Sequence, residues 1–172
     1  KFLKNLEWLS VWEFDVRETN TTHSIGNNNR KDIYLPDEIG YLKNLKRLAV
    51  SPAKNIPNSI VGLTNLEILN IYGYNISEIP IEIGQLQNLT HLSIWGSYKS
   101  IPESIGKLKK LTNLTLVGGF SEIPESISQC EELKELTIGS EYVSSIPLSI
   151  LQKNDLHIHI VGHSFNAEKN LK

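Results

Sequence analysis

The sequence predicts an α/β solenoid in which every coil is one short strand followed by one short helical segment. Two observations carry that prediction. One frame recurs along the chain as LKNLKRLAV, LTNLEILNI, LQNLTHLSI, LKKLTNLTL and CEELKELTI, and each copy is followed after a short turn by a proline. Those prolines (Pro36, Pro57, Pro80, Pro102, Pro124 and Pro147) are spaced 21, 23, 22, 22 and 23 residues apart. Self-similarity at such a period marks a stack of supersecondary units, each burying its apolar face against its neighbours.

Within one unit the spacing assigns the elements. From each proline to the next key apolar residue the count is nine, reaching Leu45, Leu66, Leu89, Leu111, Leu133 and Leu156. From the last inward residue of the strand to the proline it varies: 7 after Val50, 9 after Ile71, 8 after Ile94, 8 after Leu116 and 9 after Ile138. One flank of the coil is therefore fixed in length and the other accepts insertions. In LxxLxL, as at Leu66, Leu69 and Ile71, the last two apolar residues alternate as on a strand with one face inward. In PxxIGxL, proline suits the first position of a helix, and acidic residues such as Glu103 and Glu125 favour a helix start. The spacing predicts a short α-helix or 3₁₀ turn that ends at Gly40, Gly62, Gly84 or Gly106, with glycine as a left-handed cap. Stacked coils then give a parallel sheet with Leu and Ile columns as the core.

This pattern resembles the leucine-rich repeat family, in the bacterial and plant-intracellular form of about 23 residues, IPxxIGxLxxLxxLxL. The resemblance covers the chain except residues 15–32 and the tail after Gly162. It implies a curved right-handed solenoid, with a concave parallel sheet of about seven strands and short helical or 3₁₀ segments on the convex side. At about 4.8 Å per strand, such a sheet is about 30 Å across. The family carries Asn just past each strand, where it ties coil to coil. Here those places hold Phe14, Ala53, Tyr74, Ser97, Gly119 and Ser140, so serines, water or a rearranged turn must pair the backbone instead. Gly73, Gly96 and Gly118 support an altered turn.

The chain reads as one domain, 1–172. Val11 and Pro36 are 25 residues apart, and the excess DVRETNTTHSIGNNNRKD reads as a polar surface loop over 15–32. Long insertions are also places where recognition is built. An opening at KFLKNLEWL, in mid-coil and without Met, reads as a piece of a longer chain. Its uncapped first coil suggests end-to-end self-association or cover by a partner. At the far end two registers compete: Leu156, His159 and Val161 inward, or Ile158 and Ile160 inward. Burying two isoleucines is the better choice, with an irregular last coil over 156–172.

Composition excludes several classes. The net charge of -2 carries no basic stripe for nucleic acid. No run of 18 apolar residues exists to span a membrane. Cys130 is the only cysteine, stands where other repeats carry Leu, and reads as a buried apolar residue. Without disulfides the composition favours the cytoplasm or a disulfide-poor bacterial surface or secreted setting.

The resemblance assigns the positions flanking the inward strand residues to the concave surface. The first column reads Trp8, Arg47, Ile68, His91, Asn113 and Glu135; the second Ser10, Ala49, Asn70, Ser93, Thr115 and Thr137; the third Trp12, Ser51, Tyr72, Trp95, Val117 and Gly139. All three tryptophans fall in these columns. Exposed Trp and Tyr on a sheet mark contact surfaces, although aromatics also support sheets through cross-strand pairs. The candidate partner-binding residues are Trp8, Trp12, Arg47, Tyr72, His91 and Trp95. No GxSxG, HExxH or phosphate-cradling glycine loop occurs. His157, His159 and His163 could chelate a metal, but surface histidines on an end strand explain them better. The sequence thus points to a non-catalytic protein-interaction scaffold with no cofactor and no metal. The alternatives are a carbohydrate surface stacking sugars on the same aromatics, and an idle segment of a longer repeat array.

Overall fold

Residues 5–12 and 32–161 of the computed structural model are described below, the side chain of Trp12 apart. The polar insertion, except Asp32, therefore lies outside the described residues, as do Phe14, His163 and the tail. Seven parallel strands form one open sheet in chain order: β1 (Trp8–Trp12), β2 (Arg47–Ser51), β3 (Ile68–Tyr72), β4 (His91–Trp95), β5 (Asn113–Val117), β6 (Glu135–Gly139) and β7 (His157–Val161). Between strands the chain returns through 3₁₀ turns at Asp37–Tyr41, Asn58–Gly62, Ile81–Gln85, Glu103–Lys107 and Glu125–Gln129. The last return is a single α-helical turn, α1 (Leu148–Leu151). Each proline stands one residue ahead of its turn in extended backbone, as at Pro36 (φ -74°, ψ 157°). Its carbonyl accepts the first i→i+3 bond, for example from Ile39 N–H at 3.0 Å.

The core is the predicted set of columns. Leu48, Leu69, Leu92, Leu114 and Leu136 stand in register from strand to strand, as do Val50, Ile71, Ile94, Leu116 and Ile138, and all are buried. Each such side chain contributes on the order of 2 kcal/mol. The variable flank has an internal rule that strand-to-proline counting obscures. Ala53, Ile76, Tyr98, Phe120 and Val143 are all buried, and each lies four residues before its proline. Length variation is therefore confined to the few residues between the strand and this inward side chain. Tyr98 and Phe120 fill the two turns of intermediate length and stack, with ring centroids 5.6 Å apart and planes 9° from parallel. The Tyr98 hydroxyl donates to the Ile94 carbonyl at 3.0 Å, and burial pushes its phenol well above the ordinary value.

One expectation needs correction. Gly40, Gly62, Gly84 and Gly106 are not left-handed caps: they lie inside the 3₁₀ turns, and none has positive φ. Glycine is needed there because adjacent coils nearly touch. A Cβ on Gly84 would stand 2.2 Å from the Ser104 carbonyl oxygen, and one on Gly106 would stand 2.4 Å from that of Ser126. The ties between coils are made as the missing asparagines required. Past the strands, Ser97 N–H donates to the Ile76 carbonyl (2.8 Å), Gly119 N–H to that of Tyr98 (3.0 Å), and Ser140 Oγ to that of Phe120. Backbone and serine thus replace asparagine there. Side-chain amide ties do exist, but elsewhere. Asn65 and Asn88 donate to Lys43 and Thr64 carbonyls on the fixed flank, each at 2.9 Å, and Asn55 pairs doubly with the Leu35 backbone.

The last strand takes the register that buries isoleucine: Leu136 faces Ile158 and Ile138 faces Ile160, both half-buried. From its proline to its strand the last coil is one residue shorter than the coil before it, Pro147 to His157 against Pro124 to Glu135. It closes with α1 and with Asp155 in left-handed backbone at φ 58°. Cys130 is buried as expected, its thiol donating to the Ile105 carbonyl at 3.3 Å. Burial raises its pKa to about 11, despite the lowering effect of nearby Lys109 and Lys153.

Two measurements check this packing. In urea, Gly84→Ala should cost about 2 kcal/mol or more through overpacking. Gly119→Ala, whose added Cβ meets nothing closer than 3.6 Å, should change stability by less than about 0.5 kcal/mol. The folded protein should resist a thiol reagent at pH 8 and react fully once unfolded. As pH rises through the ordinary thiol range, Cys130 ionises in the unfolded chain before it does in the folded one. That thiol's contribution to stability is therefore full at neutral pH and lost at alkaline pH.

Candidate functional site

The outward strand positions form the candidate site, and the sheet register places them as anticipated. Trp8, Arg47, Ile68, His91, Asn113, Glu135 and His157 make the first column. The third runs through Trp12 opposite Ser51, then Tyr72, Trp95, Val117, Gly139 and Val161. Between them lie the short side chains Ser10, Ala49, Asn70, Ser93, Thr115 and Thr137, with His159 at the end. Inward neighbours in the core fix each of these positions, because side chains on a strand alternate between its two faces.

The candidate residues form two groups. Trp8 and Arg47 are register partners at one end of the first column, and Trp8 is 67% exposed. They border a shallow depression also lined by Glu7, Lys46 and Glu67, where Lys46 Nζ is 3.2 Å from Glu7 Oε2. Tyr72 and Trp95 are partners in the third column, with ring centroids 5.9 Å apart and planes tilted by 59°. Trp95 is 45% exposed. His91 opens the strand that Trp95 closes, and its Nδ1 lies 2.9 Å from Thr90 Oγ1. The two ends of a five-residue strand are about 13 Å apart, which separates His91 from Trp95, and along the first column two strand spacings, about 10 Å, separate it from Arg47. Trp12 occupies the last position of β1; its side chain lies outside the described part.

One pair was not among the candidates. His159 Nε2 is 3.0 Å from Glu135 Oε2 across β6 and β7. The HIHI alternation placed His159 outward, but only the settled register puts it beside Glu135. Among the described residues no three His, Cys, Asp or Glu side chains form a metal-binding group. No described helix is long and apolar enough to cross a membrane.

Parallel strands joined by short 3₁₀ returns, with a regular core and an open outer sheet face, define a repeat-built solenoid. A family profile described as a leucine-rich repeat region matches residues 65–153, just over half of the chain. The chain belongs to the leucine-rich repeat family, and the outer face of its sheet is the concave face of that fold. Among solved structures it is similar to the plant peptide hormone receptor RGFR1 (32% identity, TM-score 0.67, covering 74% of this chain and 22% of that one). It is also similar to a leucine-rich repeat protein of Leptospira interrogans (31% identity, TM-score 0.53, covering 79% and 41%). An internalin of Listeria monocytogenes shares the fold at 21% identity (TM-score 0.61, covering 73% and 55%). No sequence match to a curated protein was found. The chain spans less than two thirds of the length of each of these three structures.

Because the exposed candidates sit on positions that do not pack the core, Trp8→Ala and Trp95→Ala should leave the fold intact. Each should change the urea unfolding free energy by less than about 1 kcal/mol, against about 3–5 kcal/mol for the buried Phe120→Ala.

Proposed function

We propose that this chain is a non-catalytic scaffold that holds a protein partner against its concave sheet, with Trp8, Trp12, Arg47, Tyr72, His91 and Trp95 as anchors. The observation that carries the reading is the exposure of Trp8 and Trp95 on a face whose middle column is otherwise short and polar. Large aromatic side chains left in water cost solvation, and they contribute most when a partner buries them. The similar RGFR1 structure was solved in complex with RGF2, which supports a peptide or protein partner on this kind of fold. The leucine-rich repeat family is generally non-enzymatic, and an open sheet seldom converges groups on one reacting atom.

A sugar stacked on Tyr72 and Trp95 is the second reading, favoured by the exposed, tilted aromatic pair. Partner capture separates the two. Wild-type protein immobilised against a lysate of its source should retain a protein that the Trp8→Ala/Trp95→Ala double variant loses at least tenfold. Unchanged capture would sink the scaffold reading, and saccharide-selective binding on a glycan array would replace it with the second.

A further inference from the structure

Histidines aside, Arg47 and Glu135 are the only charged side chains on the outward positions of the seven strands. Both stand in the first column, on β2 and β6. Four strand spacings separate them, about 19 Å at 4.8 Å each. Among the described residues no carboxylate lies within 4 Å of the Arg47 guanidinium, although Glu7, which pairs with Lys46, and Glu67 line the same depression. Glu135 meets His159 through Oε2 alone. Ile68, His91 and Asn113 lie between the two charges, and the neighbouring column is short enough for a chain to lie flat across the strands.

Resting on the reading that the concave face is the binding face, we infer that its partner presents an extended peptide segment with one acidic and one basic group about six residues apart. Extended backbone advances about 3.3 Å per residue, so six residues match the span. The acidic group sits on the Arg47 guanidinium beside the Trp8 ring, and the basic group sits on Glu135. The arrangement fixes both the spacing and the direction in which the segment crosses the sheet. Opposite charges across an interface select register and suppress wrong partners more than they add affinity. The aromatic pair at Tyr72 and Trp95, in the third column, remains available to an apolar side chain of the same segment.

The test uses terminally blocked, fluorescently labelled seven-residue peptides. One carries aspartate first and lysine last, with serine, alanine and one tyrosine between. Others carry two lysines, two aspartates, or the opposite charges only three residues apart. Wild-type protein should bind the full-span opposite-charge peptide at least tenfold more tightly than the other three at low salt. Arg47→Glu should move the preference to the two-lysine peptide, and Glu135→Arg should move it to the two-aspartate peptide. Circular dichroism should show unchanged folding in both variants, since each position is on the sheet surface. Binding indifferent to spacing, or preferences unmoved by the two charge reversals, overturns the inference. So does failure of all four peptides to bind. If Trp95→Ala lowers binding while the charge reversals do nothing, the concave-face reading survives and the charge pattern falls. Displacement by saccharides but not by peptide overturns both.

Discussion

Everything in this molecule depends on how closely one coil can approach the next. The strands stand at hydrogen-bonding distance along one side, and on the other the 3₁₀ turns come so near that a methyl group on Gly84 would enter the Ser104 carbonyl. A parallel sheet needs evenly spaced backbones on both flanks of every coil. The small residues of the outer turns keep that spacing where no ladder of strand hydrogen bonds enforces it. The apolar columns then interdigitate at interior density. The close approach also explains why the flank from proline to strand keeps one length from Pro36 through Pro124 and loses a residue only before the terminal strand, β7.

Variation is displaced to the other flank, and even there it is contained. One inward side chain, four residues before each of the five prolines from Pro57 to Pro147, restores the frame after the turn. Extra residues are pushed outward: Tyr74, in one of the longest turns, is 82% exposed. In the shortest, Ala53 suffices. In the intermediate ones Tyr98 and Phe120 stack on one another, and a Cβ on Gly118 would stand 2.9 Å from Tyr98 Cζ. The end of the long insertion returns under the same discipline. Asp32 accepts from Lys54 Nζ at 3.1 Å and from Asn75 Nδ2 at 2.8 Å, and Ile33 bridges to Ala53. A tolerant flank beside a rigid sheet lets the fold carry large sequence changes without disturbing the surface it presents.

That surface separates stability from recognition residue by residue. Leu92 and Ile94 are held in the core, while His91, Ser93 and Trp95 on the same strand face away from it. A side chain in the outward columns can change without a cavity forming, so the chemistry of the face is set independently of the fold. The proposed binding surface uses this freedom unevenly: aromatics occupy β1, β3 and β4, small polar groups β5 and β6, and the Glu135–His159 pair closes the far end.

The columns were legible in the residues because strand alternation and a constant period leave one consistent register, and that register held from Trp8–Arg47 through Glu135–His157. The seven strands, the burial of Cys130 and the choice of Ile158 and Ile160 over His159 and Val161 followed from the same argument, that apolar side chains are buried first. What the sequence could not decide were the distances between coils. A glycine four residues after a proline that opens a helical turn reads equally as a left-handed cap or as a point of contact. Only the neighbouring coil, some twenty residues away, shows that the Gly84 and Gly106 positions are contacts. The ties that replace asparagine, the stacking of Tyr98 on Phe120, and the separation of the candidate residues into a Trp8–Arg47 group and a Tyr72–Trp95 group are likewise set by non-local contacts. Local periodicity determined which side chains point in and which point out. The tertiary structure decided which of them meet, because that depends on how far apart the stacked coils settle.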